Sequence, residues 1–201
     1  PMLEHIMNYY SSYGFKEFIV CLGYKQEVIK DYFVNYNNNK SDIFLDLGRN
    51  KLELLGDFKK DWKISLIDTG LDTMTGGRLR RIREHLNNET FLLTYGDGLS
   101  NINILKEIEF HKSQNKSLTL SAVRPQARFG ELEISNGFLM SFQEKPQLKQ
   151  GRINGGFFVV EPRFIDFIEC DAAMLETFPM QRALNNTDVA SFETDAFWRC
   201  V

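Results

Sequence analysis

Residues 91–98 read Phe91-Leu92-Leu93-Thr94-Tyr95-Gly96-Asp97-Gly98, an apolar run that ends on a carboxylate set between two glycines. A short continuous apolar run bounded by turn residues fits a strand buried on both faces. Such strands belong to parallel sheets covered by helices. Downstream, a helix is expected from about Asn103 to Gln114 and a strand from Leu118 to Val123. Upstream lie a glycine-opened helix from about Gly77 to Leu86 and strands around Lys63 to Ile67, Lys51 to Leu55 and Ile43 to Leu47, the last two spaced as a hairpin. Asn35 to Asp42 is asparagine-rich and reads as a loop, preceded by a helix from Gln26 to Asn35 and a strand from Phe18 to Leu22. Leu3, Ile6, Met7, Tyr10 and Tyr13 repeat at three-to-four spacing before Gly14, the pattern of a helix and its left-handed stop.

Strands alternating with helices of this length predict parallel pairing through right-handed crossovers. The later part differs. Strands Glu131 to Ile134, Phe138 to Phe142 and Ile153 to Val160 follow one another before helical stretches near Arg163 to Glu169 and Ala172 to Leu184. No repeat, low-complexity tract or linker divides residues 1–201. The expectation is one α/β domain with a mixed, mainly parallel sheet flanked by helices.

Lys and Arg number 24 against 27 Asp and Glu, a net charge of −3. That balance excludes a general basic surface for nucleic-acid phosphates and leaves room for a local site for a small anion. Hydrophobic residues make up 43% of the chain, with 17 Phe, which marks a folded and not a disordered composition. No apolar run approaches the ~18–20 residues of a membrane helix, and the opening Pro1-Met2-Leu3-Glu4-His5-Ile6 lacks the signal-peptide pattern. Neither nucleic acid nor membrane is therefore expected as a partner. Cys21, Cys170 and Cys200 are dispersed and form no Cys-x-x-Cys pair, so neither a disulfide framework nor a zinc site is indicated and a cytoplasmic location is expected. His5, His85 and His111 each fall on an expected helix, where a structural histidine is the simpler reading.

Open parallel sheets bind ligands beyond the carboxyl ends of their strands, which directs attention to Asp97. A carboxylate there, flanked by glycines that admit a ligand to the backbone, suits Mg²⁺ held jointly with substrate phosphates. An Asp-Gly turn is the commoner use of these residues, but a helix and not a returning strand is expected next. Asp72-Thr73-Met74-Thr75-Gly76-Gly77-Arg78 opens a helix with hydroxyls and glycines, a place where free N–H groups and Arg78 can meet an anion. Taken alone, an N-cap at Thr75 and a solvated face of Arg78, Arg80, Arg81 and Arg83 explain it as well. In Phe142-Gln143-Glu144-Lys145-Pro146 the Glu can accept sugar hydroxyls and the Lys can meet phosphate charge, unless they are an exposed ion pair before a turn. Ile153-Asn154-Gly155-Gly156-Phe157-Phe158 pairs glycines at a strand entrance with an amide that both donates and accepts, though a β-bulge would need no ligand. Trp62 and Trp198 read as packing residues.

In order and spacing these features resemble the sugar-nucleotide nucleotidyltransferases over essentially the whole chain. Thr73-Met74-Thr75-Gly76-Gly77-Arg78-Leu79, Phe110-His111-Lys112, Ala122-Val123-Arg124-Pro125 with Arg128-Phe129-Gly130, Ser141-Phe142-Gln143-Glu144-Lys145-Pro146, Ile153 to Phe158 and Ala196-Phe197-Trp198 look like the glucose-1-phosphate cytidylyltransferase branch. The Tyr-Gly-Asp-Gly and Glu-Lys-Pro elements alone point only to the wider superfamily. The resemblance implies a Rossmann-like, GT-A-like fold, and the reaction of CTP with α-D-glucose 1-phosphate to give CDP-glucose and pyrophosphate with Mg²⁺. It further implies a homo-oligomeric full-length protein and supply of CDP-glucose for deoxysugars of surface polysaccharides such as O-antigen. Carried over residue by residue, Thr73 and Arg78 hold the nucleotide and Gly96 lies against it. Asp97 binds Mg²⁺, Glu144 and Lys145 bind the sugar phosphate, and Asn154 with Gly155 meet the glucose, Asp97 and Lys145 being the catalytic pair.

Two family elements are not found within residues 1–201. One is a Gly-Gly-x-Gly-Thr-Arg loop with a Lys-Pro-Lys-Pro-like segment, which the family carries before the position matched by Pro1. The other is an Asp-Thr after the Phe-Trp motif, whose aspartate is the family's second Mg²⁺ ligand. The expectation is a domain truncated at both ends, weak or inactive in this form. A reading from a different class is a noncatalytic sugar-nucleotide sensor or assembly subunit, which would bind CDP-glucose without turnover. A nucleotide-sugar glycosyltransferase of related fold ranks last because no Asp-x-Asp motif is present. Choice of CTP over UTP or dTTP rests on the branch resemblance.

Overall fold

A computed structural model describes residues 1–56, 60–125, 131–143 and 151–200. The first half contains α1 (Met2–Ser12), β1 (Glu17–Leu22), α2 (Gln26–Val34), α3 (Tyr36–Lys40), β2 (Asp42–Asp46), β3 (Lys51–Leu55), β4 (Lys63–Asp68) and α4 (Thr75–Arg81), the last followed by a 3-10 turn Arg83–Leu86. Then come β5 (Phe91–Thr94), β6 (Gly98–Ser100), α5 (Ile104–Gln114), β7 (Leu118–Val123), β8 (Glu131–Ser135), β9 (Phe138–Gln143) and β10 (Ile153–Val160). A 3-10 turn Pro162–Phe167, α6 (Phe178–Asn185), β11 (Val189–Glu193) and β12 (Trp198–Cys200) complete the order.

The central sheet runs β11-β7-β10-β5. β11 is parallel to β7, and β10 is antiparallel to both β7 and β5, so β5, β7 and β11 share one direction and the sheet is mixed. β1 and β4 pair in parallel, whereas β2 with β3, β8 with β9 and β6 with β12 pair antiparallel. The apolar runs are continuous because both faces of the sheet are covered. Phe158 of β10 and Leu93 of β5 pack with Leu79 and Ile82 beside α4 and with Ile19 of β1 and Ile67 of β4. Their neighbours Phe157 and Leu92 face the other way, against Ile6 and Tyr10 of α1 and Ile104 of α5. Each fully buried phenylalanine contributes roughly 1.5–3 kcal/mol.

Besides the unpredicted strand β6, two stretches depart from the sequence expectation. Residues 35–42, expected as loop, contain the helical turn α3, because Tyr36 is buried and its hydroxyl donates to Glu4 Oε1 at 2.8 Å. Tyr32 Oη and Lys40 Nζ donate to Glu4 Oε2 at 2.6 and 3.0 Å, clipping α1 to α2 and α3. Burial works to raise the Glu4 carboxyl, but the three donors outweigh it and hold it at about 2. Residues 172–184, expected as one helix, are helical only from Phe178, because residues 171–177 form a strap across the start of α4.

On its inner face α5 lays Glu107 and His111 against Ser121 and Thr119 of β7. Ser121 Oγ donates to Glu107 Oε1 at 2.6 Å, His111 Nδ1 lies 2.8 Å from Thr119 Oγ1, and Nε2 lies 3.1 Å from Glu161 Oε1. Burial pushes the Glu107 carboxyl up to about 7, against a smaller opposing effect of the Ser121 bond. Folded Glu107 keeps its proton to about pH 7, whereas the unfolded chain releases it near 4.5. Its stabilisation is therefore full below about pH 4.5 and is lost as pH rises to about 7, at up to ~1.4 kcal/mol per pH unit. Glu107→Gln, which keeps an oxygen for Ser121, should flatten that slope in urea unfolding measured across this range. Equal slopes in both proteins would refute the assignment.

Candidate functional site

Beyond the carboxyl end of β5 the chain turns through Tyr95, Gly96, Asp97 and Gly98. A short strand, β6, follows before α5, where the sequence predicted the helix directly. It pairs with β12 and not back onto β5, so the segment is no hairpin. Gly96 faces open space, with no atom within 4 Å of where a Cβ would stand. The Asp97 side chain is exposed and has no hydrogen bond or ion pair among the described residues. Among the described residues no three His, Cys, Asp or Glu cluster as a metal site. A carboxylate with no bonded partner among the described residues is still a fitting donor for Mg²⁺, which takes one or two protein carboxylates and fills its shell with phosphate oxygens and water.

Across β5, the strand β10 is irregular between Asn154 and Phe158. Gly156 has φ +72°, and a Cβ there would lie 2.9 Å from Tyr95 Cδ2; one at Gly155 would lie 2.9 Å from Val123 Cγ1. Packing and backbone conformation thus require both glycines without any ligand. Asn154 Oδ1 accepts from Gly156 N at 2.9 Å, and its NH₂ makes no hydrogen bond among the described residues. Trp198 Nε1 donates to the Gly155 carbonyl at 2.6 Å, so this tryptophan ties β12 to the glycine pair as well as packing.

The start of α4 is closed by the strap. Met74 N donates to Asp171 O at 2.9 Å, Gly77 N to Ala173 O at 3.2 Å, and Leu175 N to Thr75 Oγ1 at 2.8 Å. The expected anion cradle therefore has part of its N–H groups engaged by protein carbonyls. Thr75 is the first helical residue and makes no N-cap bond. Thr73 is buried beside Gly70. Arg78 Nη1 donates to Leu22 O at 2.8 Å and to Thr69 Oγ1 at 2.7 Å, and Nη2 reaches Leu71 O at 3.5 Å. Of its five donors, Nε–H and one Nη2–H make no hydrogen bond among the described residues. Arg81 joins Thr69 O to Asp171.

Tyr95, Asp97, Asn154, Gly155 and the α4 loop are thus brought to the β5 and β10 region of the sheet. Glu144 and Lys145 lie outside the described residues, as do Arg128, Phe129 and Gly130. Glu176 was not singled out from the sequence, yet its carboxylate accepts from both Tyr95 Oη and Thr75 Oγ1. Two surface concavities stand elsewhere and contain none of the predicted site residues. One of about 490 Å³ is bordered by Arg80, Arg81, Arg83 and Asp166, and one of about 290 Å³ by Lys112, Lys116 and Arg163. The arginines of the first are already paired with Asp171 and Asp166.

No family model matches the chain. Over 200 residues it is 44% identical to the glucose-1-phosphate cytidylyltransferase of Salmonella typhi, spanning 99% of this chain and 78% of that protein. It is 38% identical over 202 residues to a probable glucose-1-phosphate cytidylyltransferase of Bacillus subtilis (strain 168), spanning 100% of this chain and 79% of that one. The crystal structure of HddC from Yersinia pseudotuberculosis superimposes with a TM-score of 0.65 at 22% identity, covering 100% of this chain and 79% of that one, a likeness of fold.

Proposed function

The chain belongs to the glucose-1-phosphate cytidylyltransferase family, and from that membership we infer its reaction: transfer of CMP from CTP to α-D-glucose 1-phosphate, giving CDP-glucose and pyrophosphate. The observation that carries it is 44% identity over 99% of the chain to an enzyme of that name. A phosphate oxygen of glucose 1-phosphate attacks the α-phosphorus of CTP in line. The new P–O bond forms as the bond to the bridging oxygen breaks, and pyrophosphate leaves with that oxygen. No covalent nucleophile is required, so the protein acts by positioning and by neutralising charge.

In this reading Thr73 and Arg78 hold the nucleotide, the two free donors of Arg78 supporting its part. Gly96 gives the nucleotide room against the backbone, and Glu144 with Lys145 binds the sugar phosphate. Asn154 offers its amide donors to glucose hydroxyls beside Gly155. Asp97 holds Mg²⁺, which when bound neutralises phosphate charge. The product fits a supply line for deoxysugars of surface polysaccharides. Three cysteines without a disulfide agree with a cytoplasmic enzyme, and among the described residues no helix is long and apolar enough to cross a membrane.

A homo-oligomer is favoured by the β2–β3 ribbon. Cross-strand pairs Ile43–Leu54 and Leu45–Leu52 form one aliphatic face, each side chain 41–54% exposed. A two-stranded ribbon is marginal alone, and an uncharged face of this kind is self-complementary across a two-fold axis. The full-length protein should release pyrophosphate from CTP and glucose 1-phosphate and sediment as more than a monomer. Absence of release from CTP with glucose 1-phosphate would sink the reaction, and a monomer at micromolar concentration the assembly.

A further inference from the structure

The strap residue Glu176 stands between the start of α4 and the residue that follows β5. Its Oε1 accepts from the Tyr95 hydroxyl and its Oε2 from Thr75 Oγ1 at 3.3 Å. The donor directions follow from proton counting. Thr75 Oγ1 already accepts from Leu175 N at 2.8 Å, so its single proton is free for Glu176. The Tyr95 hydroxyl has one proton to give, and an ionised carboxylate oxygen only accepts, so Tyr95 is the donor of this pair. The Tyr95 ring in turn lies under Gly156 and stands edge-on to Phe158, with ring centroids 5.7 Å apart. Tyr95 N also donates to Gly156 O at 3.3 Å. One carboxylate thus links the loop that opens α4 to the strand that carries Asn154 and Gly155.

We propose that Glu176 is a positioning residue that fixes the span between the nucleotide side and the sugar side of the cleft, holding Thr75 directly and the glycine pair through the Tyr95 ring. This rests on the cytidylyltransferase reading for the identity of the two sides. In-line transfer depends on that span, since a misplacement of about 1 Å can cost roughly 100-fold in rate. Each side keeps its own ligand contacts when the link is cut, so the loss belongs in kcat and not in KM.

In the full-length protein, Glu176→Ala should lower kcat about 10- to 100-fold with KM for CTP and for glucose 1-phosphate each within about 2-fold. Glu176→Gln, which can still accept from Tyr95 and reach Thr75, should stay within about 3-fold of the parent. Tyr95→Phe keeps the ring on Gly156 and Phe158 and removes only the hydroxyl; it should match Glu176→Ala, and it serves if the alanine variant does not fold. The double variant should be no worse than either single one, because both cut one link. An unchanged kcat in Tyr95→Phe, a loss confined to KM, or multiplying losses in the double variant would overturn the proposal. If the parent protein makes no CDP-glucose, the reaction reading has failed on its own. The link is then read from Tm, where non-additive losses for Tyr95→Phe and Glu176→Ala uphold it and additive losses reject it.

Discussion

Asp97→Asn is expected to lower pyrophosphate release about 100- to 1,000-fold while leaving Tm within about 2 °C of the parent. The two halves of this expectation come from the same environment. Asp97 is exposed and has no hydrogen bond or ion pair among the described residues, so removing its charge breaks no bond to them. On the proposed reading, its position beyond the carboxyl end of β5 puts a hard anionic oxygen at the sheet end where such folds bind phosphates. Asparagine keeps the shape and removes the charge, which isolates electrostatics from packing. Steady-state rates over a Mg²⁺ series, together with a thermal melt, check both halves. A rate within a few-fold of the parent at saturating Mg²⁺ would remove Asp97 from the metal site.

The second large effect has a sign opposite to that of helix propensity. Gly77 lies inside α4, where alanine would ordinarily stabilise by up to ~1 kcal/mol. A Cβ at Gly77 would stand 2.6 Å from both the carbonyl carbon and the Cα of Asp171, and closer to the carbonyl oxygen. These are backbone atoms of the strap and cannot rotate away. Asp171 is also held by Met74 N and by Arg80 and Arg81. Gly77→Ala should therefore destabilise by about 3 kcal/mol or more, a fall in Tm of roughly 6–12 °C for a chain of this size. Activity should fall with it, because the strap carries Glu176. Differential scanning calorimetry decides the sign; a Tm equal to or above the parent's would show that α4 and the strap separate without cost.

Strand β5 and the Phe157–Val160 end of β10 were legible from the sequence as unbroken apolar runs, the mark of strands covered on both faces, whereas β4 and β7 were legible as short runs that alternate apolar with polar residues. The helices α1 and α2 were legible from their three-to-four spacing, and α5 from its place between two strands. α3 was missed because its asparagines carry no apolar period; what makes it helical is Tyr36 reaching Glu4, 32 residues away. The strap was misread because Ala172, Ala173, Met174 and Leu175 have good helix propensity, which a weak local preference cannot enforce against bonds to Met74, Thr75 and Gly77. Asp97, Asn154 and Gly155 were found as site candidates because glycines and polar groups at strand ends leave a local mark. Glu176 left none, being separated by 81 residues from Tyr95, the partner that gives it meaning.

By itself the sequence determined the α/β alternation, the carboxylate at the end of the apolar strand Phe91–Thr94 and the order of motifs that marks the cytidylyltransferases. All of these are encoded over a few residues, in period, turn chemistry and spacing. Only the tertiary structure decided that β10 runs against its neighbours, that Gly155 and Gly156 are demanded by packing, that three of Arg78's donors are engaged by the chain, and that a strap closes the start of α4. Each depends on hydrogen bonds or close contacts between segments far apart in the chain. Such pairings satisfy buried polar groups only after the layers have packed, so no local pattern announces them.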